Sequence, residues 1–508
     1  MSPLPDLEKP VTSHIEDKND IGIRLAKLDD AELDTAERHI RDADTYTDEQ
    51  YARVRRKMDF IQLFADKQSL ANGVLFGLRE DTKLVGNEYA NLTTFFFMAY
   101  AIGQLPMGWL CQRFPIAKVI ATCVILWGIT VMCMGAAHNY AQLAALRVLL
   151  GLFESVLTPG FALLTASWYL RSEQTIRQVC YYTMSTFITV ISNVIIYYLA
   201  LHVQTHGGIA AWRVINLFLG GLTVFIGILN LLVWGTPENA WWLTKEEKNI
   251  ARSRIVSNAT GGGESHPWKW DQIRECFKDP QYYFFMLFNI LITIPNGGVT
   301  TFAPLVFVSF GFSPLNTVLY ALPQQAIGFF FLLVPGNIVN IFPRARFPFV
   351  ILITAFCCAC LLSVGLMKGT ADNKWTRWAL FSFCSTYSCA MYLTWPLMSI
   401  NVAGRTKKTW ISGTALMTFC IGNIIGSQIF RPSDAPRYLK GLTGCAIAMA
   451  VCMVVVGAWW SYYEYTNRKR DRDFVTSGLT KEEQDYQRKL AGETDLTDIQ
   501  NVHFRYTN

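Results

Sequence analysis

Leu143 to Ser167 reads LAALRVLLGLFESVLTPGFALLTAS. The stretch is long and apolar enough to cross a bilayer, yet Arg147 and Glu154 stand near its middle. A charge at the centre of a spanning helix costs about 2.5–3.5 kcal/mol on insertion scales, so one is kept there only where it is used. The two residues are seven apart, nearly two turns, which puts both side chains on one helix face. That face is expected to look into protein or an aqueous cavity. A buried base and a buried acid on one wall make an anion site beside a proton site the expectation.

The rest of the chain agrees with a membrane. Of 508 residues, 51% are apolar and 17% charged, against about 25% charged in soluble domains. Residues 1–57 are polar and lack the apolar core of a secretory signal. The net charge of +6 lies in tails and loops without a basic run, so no nucleic-acid partner is expected. Cys123, Cys133, Cys180, Cys357, Cys358, Cys360, Cys384, Cys389 and Cys420 sit in apolar runs and read as small buried hydrophobes. The Cys357–Cys360 cluster has no neighbouring His or carboxylate, and no metal is expected. Without a P-loop, HExxH, GxSxG or dinucleotide fingerprint, neither an ATP motor nor an enzyme is supported, and no cofactor is expected.

Eleven full spans are expected, near 89–110, 116–136, 141–165, 178–201, 212–234, 282–305, 315–335, 347–367, 377–400, 410–430 and 442–463. A polar linker, 235–280, separates them; Thr244 to Glu247 is a capping-box pattern opening a helix, and Gly261 to Gly263 is flexible. Ahead of them, Met58 to Leu78 carries Asp59, Gln62, Asp66, Lys67, Gln68, Ser69 and Asn72. It reads as a first span lacking its cytoplasmic half, with a re-entrant or interfacial helix as the alternative. Arg53, Arg55, Arg56 and Lys57 before the first span, and Arg468 to Arg470 after the last, put both termini in the cytoplasm. An even number of crossings follows, hence twelve. The expected organisation is a cytoplasmic tail (1–57), a six-helix bundle (58–234), the linker, a second six-helix bundle (281–463) and a cytoplasmic tail (464–508).

The intramembrane ionisable residues are Asp66, Lys67, Arg147 and Glu154, and no histidine falls mid-span. A proton relay must then use a carboxylate. Burial raises a carboxylate's pKa and a nearby Arg lowers it. Glu154 is therefore suited to switch protonation as Arg147 gains or loses an anionic partner; a static ion pair is the alternative. Ile294 to Gly298, reading IPNGG, is expected to break its helix and free backbone groups at membrane depth. Asn296, Gln324, Gln325, Asn423 and Gln428 are candidate substrate contacts, with interhelical hydrogen bonding as the alternative use. Trp395-Pro396 marks a kink whose indole can wall a cavity, and Gly422 to Gly426 is a GxxxG spacing for close helix packing.

With six-plus-six spans around a linker, the chain resembles a major facilitator transporter, and more narrowly the fungal anion:cation symporters of the allantoate permease family, over nearly all of 47–470. The residues carrying the resemblance are Asp66 to Leu70, then Pro106, Gly108, Gln112 to Pro115 and Lys118, then Arg147, Glu154 and Pro159. Trp242 to Thr244, Asn296 to Gly298, Gly311-Phe312 and the series from Asn401 to Gly441 continue it. The resemblance implies an all-α major facilitator fold and proton-driven import of a small organic anion across the fungal plasma membrane, by a monomer in the lipid bilayer. Substrate classes it implies are allantoate and ureidosuccinate, nicotinate, pantothenate and biotin. It places proton coupling on Glu154 and Asp66 and anion binding on Arg147 and Lys67. Two departures stand out: Lys67 where relatives often carry Arg, which loses bidentate geometry, and the short first span. The latter motivates a second reading, a non-transporting nutrient sensor or inactive relative.

Overall fold

A computed structural model describes residues 76–169, 171–236, 239–256, 269–367, 370, 372–435, 437–477, 497–501 and 504–507. For 171–187, 252–256 and 332–338 it describes the course of the helix alone. The expected first span, with Asp66 and Lys67, lies outside the described residues up to position 75.

Each of the eleven expected spans is helical, but three of them, 141–165, 315–335 and 377–400, are each divided between two helices. In order they are α1 (Leu78–Asp81), α2 (Glu88–Arg113), α3 (Ile116–Gly135), α4 (Tyr140–Glu154), α5 (Leu157–Trp168), α6 (Arg171–His206), α7 (Ala211–Val233), α8 (Lys245–Val256) and α9 (Trp270–Cys276). There follow α10 (Pro280–Ser309), α11 (Pro314–Tyr320), α12 (Leu322–Ile341), α13 (Arg346–Leu366), α14 (Lys374–Phe383), α15 (Tyr387–Ile400), α16 (Arg405–Ile429) and α17 (Leu439–Ser477). Among the described residues, nine helical stretches are long and apolar enough to cross a membrane. Large apolar side chains stand exposed along them, among them Leu105, Trp109, Phe225, Leu232, Leu352 and Val454. So much uncovered apolar surface is what a lipid-facing wall requires. Cys133 is on that wall, against the expectation that it is buried; the helix face it occupies points outward.

At two prolines the structure departs from the sequence reading in opposite directions. IPNGG does not break its helix: α10 runs unbroken through Pro295 and Pro304. Proline forfeits one ladder bond, and the neighbouring glycines are held by packing. A Cβ at Gly297 would strike the backbone of Asn423, and one at Gly298 the ring of Phe430. On the facing helix a Cβ at Gly422 would meet Thr293 and one at Gly426 the Ile294 carbonyl. α10 and α16 thus touch backbone to backbone, the close packing expected of GxxxG. The break falls instead within the opening stretch, between Glu154 and Leu157. Pro159 supplies the reason: it has no N–H for the Ser155 carbonyl, and its ring crowds that oxygen.

The chain divides into two compact units. In one, which joins 162–178 and 233–264, the Trp168 indole donates to the Gly235 carbonyl (2.9 Å) and stacks on Trp242 (5.6 Å). The capping box at α8 is formed: Thr244 N–H donates to Glu247 Oε2 (2.9 Å), and Glu247 N–H to Thr244 Oγ1 (3.2 Å). The other unit, 65–161, 179–232 and 265–508, carries the candidate site.

Candidate functional site

The site is built on α4, whose start is fixed by Asn139 accepting from the Gln142 N–H (2.9 Å). Arg147 lies two turns along, and its Nε is buried without a hydrogen-bond partner among the described residues. Glu154 is the last residue of α4 and 6% exposed. Between them Gly151 lets α4 touch α2, since a Cβ there would strike the Phe96 carbonyl. Arg147 lies in the electrostatic range of Tyr89 and of Glu154. At the helix end Ser155 N–H donates to the Gly151 carbonyl (3.1 Å) and its hydroxyl to the Leu152 carbonyl (2.7 Å), so acid and base share one short stretch. Just beyond, Tyr100 Oη and Thr158 Oγ1 are 2.8 Å apart.

The polar residues singled out beyond the linker, Gln428 apart, fall into three groups. Half-buried Asn296 on α10 donates from Nδ2 to Asn423 Oδ1 (2.6 Å) and accepts from the Tyr387 hydroxyl (2.8 Å); Asn423, fully buried, donates back to the Phe419 carbonyl (2.8 Å). Among the described residues one Asn296 N–H is left over. Trp395 donates to Asn289 Oδ1 (3.3 Å) and stands edge-on to Phe419, which is edge-on to Phe97 of α2. Gln324 is buried and Gln325 half-buried on α12, where the Gln324 carbonyl accepts from Ser385 (3.2 Å).

Gln428 has a different position. It sits at the end of α16 far from the linker and donates from Nε2 to Asn91 Oδ1 (3.0 Å) and Thr94 Oγ1 (2.8 Å) on α2. Nearby, the Tyr89 hydroxyl donates to the Thr301 carbonyl (3.0 Å) and its ring meets Phe302 edge-on; Phe302 stacks on Phe430. Arg79 lies over the Tyr89 ring (5.5 Å) and within electrostatic range of Tyr438. Helices from before and after the linker are therefore joined at their linker-distal ends. Sequence reading passed over Tyr89, Asn91, Thr94 and Tyr387. The spacing of Asn91 and Thr94, i and i+3 in an otherwise apolar helix, was the available signal.

Known proteins share this architecture. The profile of the Major Facilitator Superfamily matches residues 63–427. A transporter of Schizosaccharomyces pombe is 32% identical over 87% of this chain and 85% of its own length. The allantoate permease of Saccharomyces cerevisiae is 30% identical over 91% of this chain and 87% of its own, and a thiamine pathway transporter of that yeast 30% identical over 88% and 83%. Among solved structures, an inward-facing bacterial homologue of the human lysosomal transporter Spinster superposes with a TM-score of 0.57 at 16% identity, covering 82% of this chain and 97% of that one. A helical chain with apolar spans and a buried acid in one of them, matched along its length by transporters, is a membrane transporter and not an enzyme: it belongs to the Major Facilitator Superfamily, among the fungal transporters related to allantoate permease.

Proposed function

We propose that this chain imports a small organic anion together with protons, by alternating access between the helices before and after the linker. The substrate class is an allantoate-, ureidosuccinate- or nicotinate-like carboxylate, with pantothenate and biotin as alternatives. The observation that carries the reading is Arg147: a guanidinium inside a spanning helix, its Nε buried without a partner among the described residues, on the helix that ends at Glu154. A buried guanidinium N–H without an acceptor is costly, and an anion supplies the acceptor. In this reading Arg147 takes the substrate's charge with Lys67, Glu154 carries the proton, and Asp66 tunes it. Asn296, with its remaining N–H, and Gln324 and Gln325 contact the substrate, and Trp395 walls the path. Asn423 and Gln428 hold helices in place. The protein works as a monomer in the plasma membrane with both termini cytoplasmic.

The test is uptake of labelled allantoate, nicotinate and pantothenate by cells expressing the chain, at pH 5 and 7.5, with and without a protonophore. Accumulation that needs external acid and collapses with protonophore is expected. Glu154→Gln should abolish that accumulation while leaving anion exchange. Proton-driven accumulation retained in this variant removes Glu154 from the proton path. No uptake by a chain shown at the cell surface favours the sensor reading instead.

A further inference from the structure

Lys407, on the first turn of α16, is completely buried, an expensive place for an ammonium unless it is fully paired. Its Nζ is 3.0 Å from Glu275 Oε1, 2.8 Å from Asp279 Oδ2 and 2.8 Å from Asp498 Oδ1. Glu275 lies on α9, and Asp279 caps α10 by accepting from Gln281 N–H (2.9 Å). Asp498 belongs to neither: it comes from the far end of the chain, beyond α17.

The contacts around Asp498 are those of a peptide in a receptor. Asn401, the residue after α15, donates to the Thr507 carbonyl (2.9 Å) and accepts the Thr507 N–H (2.8 Å). Asn467 on α17 does the same to Tyr506, at 2.8 and 2.9 Å. Arg470 donates to the carbonyls of Phe504 (2.8 Å) and Asp498 (2.7 Å). The Tyr506 ring lies between Tyr463 (centroids 4.6 Å, nearly parallel) and the Arg470 guanidinium (4.9 Å), and its hydroxyl donates to Asp498 Oδ2 (2.9 Å). Side-chain amides read two backbone units by donor and acceptor together, an arginine reads two carbonyls, and a buried lysine and an aromatic slot read two side chains. Main-chain pairing supplies affinity and side-chain pockets supply sequence choice, as in other peptide sites, and the segment is held in a turn by Asn501 N–H donating to the Thr497 carbonyl (2.9 Å).

We propose that the linker-proximal ends of α10, α15, α16 and α17 form a peptide-binding site selective for an aspartate followed eight residues later by a tyrosine, and that its resident ligand is the chain's own C-terminal segment, held through 497–501 and 504–507. Bound, the segment clips these helix ends together, because one short peptide bonds residues next to α15, at the start of α16 and on α17. Released, it leaves Lys407 with two carboxylates and frees α15 from α17.

The test begins with the full chain carrying a protease site within 478–496. After cleavage in detergent, the 497–508 fragment should stay with the protein on size exclusion, or rebind when supplied as a fluorescein-labelled synthetic peptide followed by anisotropy. Peptides with Asp498→Asn or Tyr506→Ala should bind at least tenfold more weakly, and a scrambled peptide should not compete. These changes lie in the ligand, so the receptor's folding is untouched. Loss of the fragment without rebinding, or equal affinity for the native and Asp498→Asn peptides, overturns the proposal.

Discussion

Gln428→Ala tests whether the linker-distal contacts set the balance of alternating access. Gln428 Nε2 makes two hydrogen bonds to α2, at 3.0 Å to Asn91 and 2.8 Å to Thr94, and both exist only while the two sets of helices meet at this end. A net contribution of about 0.5–1.5 kcal/mol for each bond makes the pair worth roughly 1–3 kcal/mol. With RT near 0.59 kcal/mol, the ratio of closed to open forms at this end should fall by about 5- to 150-fold. Closure is weakened and not abolished, because Tyr89 still donates to Thr301 and packs on Phe302. Spin labels at the exposed positions Val85 and Ser433, on a background with exposed Cys133 replaced by serine, would report the separation by pulsed electron resonance. The expected result is growth of the long-distance population without substrate. An unchanged distance distribution, with reduced substrate affinity, would refute the gating role and make Gln428 a direct substrate contact.

Two further outcomes bear on the scaffold. Gly426→Ala places a methyl against the Ile294 carbonyl and should cost about 1–3 kcal/mol by overpacking, lowering the melting temperature in detergent; a melting temperature equal to that of the parent would show that α10 and α16 are less tightly joined. Burial pushes the Asp279 carboxyl above the ordinary carboxylate range, with Lys407 opposing and Asp498 reinforcing. A carboxyl whose folded value is raised binds its proton more tightly in the folded state, so stability falls as pH rises from the unfolded value through the folded one. Relative to Asp279→Asn, the parent protein should lose stability as pH is raised through that window, and parallel melting curves of the two against pH would contradict the assignment.

Much of this protein was legible in one dimension. Twenty-residue apolar runs admit one solution in lipid, because backbone groups there must be satisfied within each helix, and each of the eleven expected spans is helical. The Thr244–Glu247 box and the Gly422–Gly426 contact were equally readable, since each depends on residues within a turn or two. Arg147 and Glu154 stood out because a charge in an apolar run is anomalous without knowing its neighbours. The errors arose where local rules competed with packing. IPNGG carries the residues of a broken helix, yet α16 packs on it and the ladder continues, whereas α4 ends ahead of Pro159. What sequence could not supply was pairing across distance. That Gln428 meets Asn91, that Asn296 meets Tyr387, and that Asp498 returns to Lys407 depends on which faces the folded helices bring together. Periodicity shows that a face is polar, and only the three-dimensional packing decides which polar group lies opposite.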